Sequence, residues 1–268
     1  SIYNLLIYLF LIWNSLKLYI INSDPIIQIL NLLLSIGIYF CIEDKNLQIK
    51  DKRRIDFFIG IVGISLVILR SFILNNVDDK YYYFNLPIGI FFFILILKPF
   101  REFINLKKIF IISLLLPLRR LFFELANFVL GYFIAPLTSF ALFSLGKDPI
   151  LDGENIFIGN NQFIIEKGCL GADNLYFVLS TLLIYSCIFR LRKINNIINI
   201  FIASIAISIF INIIRNTLLA LVVSSNLNYK KEMFNFLHDS FGSLTFSFFS
   251  VLFISFLYFK FLNKELKY

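Results

Sequence analysis

Three residue types that membrane-spanning sequence seldom contains occur in the last part of this chain. They are Cys169, Arg215 and the only histidine, His238. A cysteine thiolate is a nucleophile, a guanidinium is a fixed positive charge, and an imidazole carries protons near neutral pH. Acyl transfer at a carbonyl needs these three roles. We therefore take the three residues as candidates for covalent cysteine catalysis.

The composition indicates what kind of scaffold must position them. The chain has 268 residues, of which 59% are hydrophobic and 18% aromatic, and its mean hydropathy is +0.83. This is more apolar surface than one soluble core can bury. The apolar stretches are long and continuous, as helical spans need, and do not alternate like barrel strands. We predict an all-α integral membrane protein, organised as a single polytopic domain over residues 1–268, with N-terminal spans in 1–145 and a catalytic part in 146–268.

Eight apolar runs set the expected number of transmembrane helices. The first run exceeds a signal-peptide core in length, so we expect it to remain as an anchor. The fifth run contains Pro117, Arg119 and Arg120. It fits two crossings, and equally an interfacial piece (109–118) followed by one crossing (121–145). The runs lie at about 2–21, 25–42, 56–74, 84–98, 109–145, 174–190, 195–223 and 241–262.

The distribution of charge favours eight crossings, with both termini cytoplasmic, over nine. Cytoplasmic loops collect Lys and Arg, and this topology places most of the 25 basic residues inside. Arg119 and the basic run 45–54 then count as inner, and Asp24, Asp78 and Asp79 as outer. The same pattern accounts for the pI near 9.3 without nucleic-acid binding. We expect a multi-pass protein of the plasma membrane whose partner is the lipid bilayer.

This topology brings the three candidate residues to one surface. The connections 146–173, with Cys169, and 224–240, with His238, are both external. Arg215 lies about two turns before the outer end of its helix, roughly 12 Å at 1.5 Å per residue. The active site is therefore expected to face the extracytoplasmic side.

A short external β-hairpin is predicted just before Cys169. The segments 154–158 and 162–166 are β-prone and flank a three-residue turn at Gly159, Asn160 and Asn161. Cys169 then stands where a helix begins, so unpaired N–H groups and the helix dipole favour its thiolate. Gly168 and Gly171 would let a peptide backbone approach.

The surroundings of the other two candidates are also informative. Arg215 interrupts an apolar stretch at a cost of roughly 2.5 to 3.5 kcal/mol, which indicates a wet cavity. Asn212 lies on the same helical face and could hold the guanidinium. Asp239 points about 100° away from His238 in a helix, so it is not expected to orient the imidazole.

Structural roles and other classes of protein are the alternatives. Taken singly, the candidates also fit a small buried cysteine, a snorkelling arginine and a loop histidine, and Cys41 and Cys187 fit the buried type. One histidine with one nearby cysteine falls short of a zinc site, and no G-x-S-x-G motif is present. We expect no metal and no cofactor. A transporter would place charge near the mid-membrane on several helices, and a non-catalytic membrane scaffold is the other alternative.

Three ordered blocks resemble the exosortase/archaeosortase family of multispanning membrane cysteine transpeptidases. They are Glu166-Lys167-Gly168-Cys169-Leu170-Gly171, Asn212-Ile213-Ile214-Arg215, and His238 followed four residues later by Gly242. The resemblance covers mainly 150–262 and is greatest to the cyanobacterial branch. One departure is Leu170, where the family commonly has Ser or Ala.

The resemblance implies a substrate class and a role for each residue. Substrates would be exported proteins with a C-terminal sorting signal, which combines a Pro-Glu-Pro-like motif (PEP-CTERM-like), a membrane helix and a basic tail. Cys169 would be the nucleophile and His238 the acid and base. Arg215 would stabilise the oxyanion or position the motif carboxylate, with Asn212 and Gly171 as supporting residues.

Overall fold

The computed structural model describes residues 2–21, 24–43, 54–73, 80–97, 103–225 and 228–266. In these ranges the chain forms nine α-helices, one three-stranded sheet and two 3₁₀ turns, Lys80–Phe84 and Lys167–Cys169. The helices are α1 (Ile2–Ile21), α2 (Pro25–Glu43), α3 (Arg54–Ile73), α4 (Asn85–Leu97), α5 (Phe103–Ser144), α6 (Ala172–Ile188), α7 (Ile194–Ser224), α8 (Lys230–His238) and α9 (Ser240–Leu266).

The prediction of a helical integral membrane protein is confirmed. Among the described residues, five helical stretches are long and apolar enough to cross a bilayer: Pro25–Ile42, Arg54–Ile73, Lys167–Ile188, Ile194–Ser224 and Phe241–Leu266. Two shorter apolar stretches are Leu5–Ile21 and Tyr82–Ile96. Length and composition thus support five spans, and the count of eight stays a prediction. Several charges used to assign the sides lie outside the described residues: the run 45–53, Asp78, Asp79, Lys98, Arg101 and Lys267.

The ambiguous segment 109–145 belongs to one helix. Helix α5 continues without a break through Pro117 for 42 residues, so a double crossing of this segment is wrong. The proline removes one backbone hydrogen bond. A turn in apolar surroundings would leave several N–H and C=O groups unpaired, which costs more than the single lost bond.

The chain divides into two compact units. The first contains Ser1–Arg119 and Leu183–Arg190, and the second contains Arg120–Leu182 and Leu191–Tyr268. All three candidate catalytic residues belong to the second unit. The interpretation of residues 1–268 as one polytopic domain stays a prediction.

Buried polar contacts connect helices α1 and α2 in the first unit. The Asn14 amide donates to Asn31 Oδ1 (3.2 Å), and the Asn31 amide donates to the Ser15 hydroxyl (3.0 Å). In a membrane interior such bonds hold helices together, since no hydrophobic driving force exists between them. Helices α3 and α4 approach closely at Gly60, where a Cβ would lie only 2.5 Å from Ile96 Cγ1.

An ion pair in the first unit corrects the assignment of sides. Arg119 Nη2 lies 3.7 Å from Asp24 Oδ2, although the charge bias placed Arg119 inside and Asp24 outside. The assignment is wrong for one of them. The positive-inside rule describes the loops between spans, whereas Arg119 lies within a helix and its long side chain binds the nearby carboxylate.

A three-stranded antiparallel sheet precedes Cys169 in the second unit. Its strands are β1 (Pro149–Asp152), β2 (Asn155–Ile158) and β3 (Asn161–Ile164), in that order. The predicted hairpin is present as β2 and β3, but Ile158 pairs with Asn161, so the turn has two residues instead of three. Gly159 takes φ +58° there, which a tight turn of this kind requires. Strand β1 was not predicted, because its residues are mostly exposed and lack the alternation of a half-buried strand.

One face of this sheet contributes to the core of the second unit. Ile156 and Phe163 belong to one buried cluster with Ile134 and Leu142 of α5 and Leu219 of α7. Alternate residues of β2 point into this core, as expected for a sheet with one face covered. The packing fixes the end of β3, from which the chain passes to Cys169.

A carboxylate at the end of α9 holds the start of α7. Glu265 accepts hydrogen bonds from the Arg192 N–H (2.6 Å) and the Asn196 amide (2.6 Å). N–H groups at a helix start have no intrahelical partner, and an acidic side chain there is favoured by the helix dipole. The contact links α7 and α9 at the end remote from the candidate residues.

Helix α7 carries a stripe of buried polar residues along one face. Ser204, Ser208, Asn212 and Asn216 follow one another at four-residue intervals, and all are buried. This spacing places them on one face, while residues such as Phe210 and Ile202 are exposed. The stripe ends at the turn that contains Cys169.

Candidate active site

Cys169 lies at the end of a 3₁₀ turn, three residues before α6 begins. Its N–H donates to the Glu166 carbonyl (2.7 Å), and the Leu170 N–H donates to the Lys167 carbonyl (3.4 Å). The residue is only 1% exposed, so neighbouring side chains must move before a peptide reaches the sulfur. The first helical hydrogen bond of α6 runs from Leu175 to the Gly171 carbonyl, and the N–H groups of Gly171 and Ala172 precede it.

Two side-chain amides of α7 bind the carbonyl of Cys169. Asn212 Nδ2 and Asn216 Nδ2 each lie 2.9 Å from this oxygen, and both side chains are buried. Asn212 was predicted to hold the guanidinium of Arg215. The structure shows its amide bound to the Cys169 carbonyl instead, because the turn containing Cys169 packs against this face of α7.

The two glycines beside Cys169 have different surroundings. Gly171 takes φ +87°, and a Cβ there would lie 2.5 Å from Asn212 Cγ. A Cβ on Gly168 would meet nothing within 4 Å. Both glycines were expected to admit a substrate backbone. Gly171 instead admits the Asn212 side chain, and only Gly168 has open space beside it.

We expect Gly171→Ala to destabilise the protein and Gly168→Ala to leave its stability nearly unchanged. A left-handed backbone costs a non-glycine residue about 1–3 kcal/mol, and the contact with Asn212 adds to this cost. Thermal unfolding of both variants in detergent provides the measurement. Equal melting temperatures for the two would contradict the role of Gly171.

Arg215 binds the last carbonyls of α8. Its Nε donates to the Leu237 carbonyl (3.1 Å) and its Nη2 to the His238 carbonyl (2.9 Å). The residue is 3% exposed. A cation at a helix C-terminus is favoured by the dipole and satisfies otherwise unpaired carbonyls. Arg215 also interacts electrostatically with Cys169 and Asp173, so its charge bears on both the candidate nucleophile and the segment that contains His238.

His238 is the last residue of a helix that was not predicted. The predicted external connection 224–240 contains α8, whose Phe234 and Leu237 pack on the core of the second unit. The imidazole stacks on the Phe234 ring, with centroids 5.2 Å apart and planes 15° from parallel. Its side chain is 38% exposed, and Nδ1 lies 4.0 Å from Asp239 Oδ1, which is beyond hydrogen-bonding distance.

A tight corner between α8 and α9 holds the backbone before His238. A Cβ on Gly242 would collide with the backbone of Phe236 and Leu237. The Asp239 N–H donates to the Asn235 carbonyl (2.8 Å), and the Ser243 N–H donates to the Asp239 carbonyl (3.1 Å). The glycine four residues after His238 thus lets α9 start against the end of α8.

The described residues offer no metal centre, since no three His, Cys, Asp or Glu side chains among them cluster closely enough to hold an ion. The site consists of a buried thiol, a buried guanidinium and a half-exposed imidazole.

Comparison with protein families identifies the scaffold. The family model described as "Transmembrane exosortase" matches residues 20–255, which is most of the chain. The chain belongs to the transmembrane exosortase family. No curated protein and no solved structure matches it.

Membership in the transmembrane exosortases confirms the predicted resemblance and extends it beyond 150–262 into the N-terminal helices. The family is one of membrane cysteine transpeptidases with a role in protein sorting. Cys169, Arg215 and His238 all lie inside the matched range, and their roles in this exosortase stay predictions.

Two residues of the candidate site in this exosortase were not found from the sequence. Asn216 follows Asn212 by four residues on the helix that contains Arg215, and this spacing was the available signal. Phe234 precedes His238 by four residues, but that signal is useful only once α8 is recognised as a helix. Asn216 contacts the backbone of Cys169, and Phe234 contacts the ring of His238. Patterns along the sequence do not report such contacts.

Proposed function

We propose that the chain is a membrane-embedded cysteine endopeptidase and transpeptidase that cleaves the C-terminal sorting signals of exported proteins. The substrates carry a PEP-CTERM-like motif followed by a transmembrane helix. The enzyme forms a thioester with the N-terminal part of the substrate and transfers it to an acceptor nucleophile or to water. Membership in the exosortase family supports this class of reaction.

One observation carries the proposal for this chain. A single stretch of α7, residues 212–216, binds the Cys169 carbonyl through Asn212 and Asn216 and the His238 carbonyl through Arg215. The nucleophile segment and the histidine segment are therefore held by adjacent turns of one helix. Such pre-organisation is what catalysis by positioned groups requires.

The reaction follows from these positions. The Cys169 thiolate adds to the scissile carbonyl carbon to form a C–S bond, and the carbonyl oxygen becomes negatively charged. His238, protonated, gives its proton to the leaving nitrogen as the C–N bond breaks, which leaves a thioester and a neutral amine. His238 then removes a proton from the acceptor, which attacks the thioester, and the C–S bond breaks to restore the thiolate.

The developing oxyanion has two sources of stabilisation in this proposal. The N–H groups of Gly171 and Ala172, before the first helical bond of α6, are backbone donors next to Cys169. The Arg215 guanidinium adds a positive charge that interacts with Cys169. Preorganised donors and charges of this kind contribute much of the rate enhancement in acyl transfer.

We propose further that the site faces the extracytoplasmic side of the plasma membrane, with eight crossings and both termini cytoplasmic. The majority of the 25 basic residues support this orientation. The substrate helix then lies in the same bilayer as the enzyme, which brings the cleavage motif to the outer surface.

Mass spectrometry of a co-expressed precursor tests the function. The precursor is a reporter with a Pro-Glu-Pro motif, a transmembrane helix and a basic tail. With the wild-type chain we expect a shortened product whose mass reports the cut position and either an added acceptor or a water. A precursor that stays whole in the presence of folded, membrane-inserted chain would contradict the proposal.

Single substitutions separate the proposed enzyme from a transporter or a scaffold. Neither alternative needs the thiol or the imidazole, so both would retain their function in Cys169→Ser and His238→Ala. The enzyme is expected to lose reporter processing in both variants.

A further inference from the structure

Asn216 is the most deeply buried polar side chain in contact with the nucleophile turn. It is 0% exposed, and its amide nitrogen donates to the Cys169 carbonyl at 2.9 Å. Its Oδ1 is buried without a hydrogen-bond partner in the described part of the chain. An unpaired buried acceptor costs free energy that an apolar side chain would avoid. Stability alone therefore does not account for an asparagine here.

The second amide on this carbonyl fixes an orientation that one amide would leave free. The Asn212 amide already satisfies the oxygen, and a carbonyl bound by one donor can still pivot about that bond. A second donor, one helical turn away, removes the pivot. The Cys169 C=O and Leu170 N–H share one planar peptide group. The Leu170 N–H of this peptide group donates to the Lys167 carbonyl (3.4 Å).

We propose that Asn216 is a positioning residue, which acts through the Cys169 backbone to set the direction of the thiol and of the N–H groups that follow it. In the peptide group before Cys169, the Cys169 N–H donates to the Glu166 carbonyl (2.7 Å). In the peptide group after it, the Cys169 carbonyl is fixed by Asn212 and Asn216. With both flanking peptide groups held, the sulfur moves only by rotation about the Cα–Cβ bond. This inference rests on the proposed function for its catalytic consequence.

The same constraint acts on the proposed oxyanion donors. The C=O of Cys169 points at α7, so the N–H of the same trans peptide points the opposite way. Gly171 then passes Asn212 at a distance that only a glycine permits. The N–H groups of Gly171 and Ala172 follow directly, so a change in the Cys169 carbonyl would displace them together with the thiol.

Asn216→Leu and Asn216→Asp are the variants that test this role. Leucine removes the amide together with the unpaired oxygen, and aspartate keeps the shape while replacing the donor. Processing of the purified Pro-Glu-Pro reporter is measured as kcat and KM. Labelling of the three cysteines by N-ethylmaleimide is measured in the same samples by mass spectrometry. Ser208→Ala is the matched control, because Ser208 is a buried polar residue on the same face of α7 whose hydroxyl has no hydrogen-bond partner among the described residues.

We expect kcat to fall about 10- to 100-fold in both Asn216 variants, with KM within about twofold of wild type, because misplacement by about 1 Å costs this much. The labelling rate of Cys169 should rise as its turn loosens, while those of Cys41 and Cys187 stay unchanged. Ser208→Ala should match wild type in every measurement.

Two results would overturn the inference. The first is an unchanged kcat together with an unchanged Cys169 labelling rate. The second is faster labelling of all three cysteines, which would indicate general destabilisation. If wild type itself leaves the reporter uncut, the proposed function fails for this substrate class, and the Cys169 labelling rate alone decides whether Asn216 positions the turn.

Discussion

Cys169→Ala is expected to leave a sorting-signal precursor uncut, with a processing rate at least about 10⁴-fold below that of wild type. The substitution removes the sulfur and its contact with the Glu166 backbone, but it keeps the hydrogen bonds that the Cys169 N–H and C=O make with Glu166, Asn212 and Asn216. The fold should therefore persist while the nucleophile is lost. Rates of reporter cleavage by equal amounts of membrane-inserted enzyme give the measurement.

The other two cysteines provide matched controls for this experiment. Cys41 and Cys187, like Cys169, are not joined in a disulfide in the described part of the chain, and both belong to the first unit. Their alanine variants should process the reporter at the wild-type rate. Wild type should also accumulate a hydroxylamine-sensitive acyl-enzyme that Cys169→Ala lacks. Full processing by Cys169→Ala would exclude covalent catalysis at this residue.

Arg215→Lys should reduce processing about 100-fold even though it retains the positive charge. The guanidinium donates through Nε to Leu237 and through Nη2 to His238, at 3.1 and 2.9 Å. Lysine presents a single nitrogen and cannot reproduce this two-point contact. The His238 segment would then lose its fixed position relative to α7. Cleavage of the reporter by the purified variant provides the measurement.

Arg119→Lys is the control for the effect of an arginine-to-lysine change on folding. Arg119 pairs with Asp24 at 3.7 Å through charge, which lysine can replace, and it lies outside the candidate site. We expect near-wild-type processing from this variant. If Arg215→Lys were as active as Arg119→Lys, a positive charge alone would suffice and the contact with the end of α8 would have no catalytic importance.

The helical membrane fold and the three candidate residues were accessible from the sequence for clear physical reasons. Bilayer spans need long apolar runs, so the helices α1 to α4 and α6, α7 and α9 begin and end near the predicted limits. Charged residues are rare in such runs, which made Arg215 conspicuous, and Cys169 stands where a polar connection meets the start of a helix. Both signals are local in the chain.

The parts that were missed depend on tertiary contacts. Asn212 was expected to bind Arg215 because both lie on one helix. The guanidinium instead binds carbonyls at the end of α8, and the Asn212 amide nitrogen binds the Cys169 carbonyl. Helix α8 has only nine residues and no fully buried side chain, so its pattern resembles a polar loop. The contact between Arg119 and Asp24 joins residues almost one hundred positions apart, and no pattern along the chain reports it.

The near-complete enclosure of Cys169 has a consequence for its oxidation state. In the proposed orientation the thiol faces a compartment that lacks the reducing glutathione and thioredoxin pools of the cytosol. A catalytic cysteine in contact with solvent there would form sulfenic acid and then irreversible sulfur acids. At 1% exposure the sulfur is sheltered from oxidants while the enzyme is idle, and it is at risk only during the interval in which a substrate opens the site.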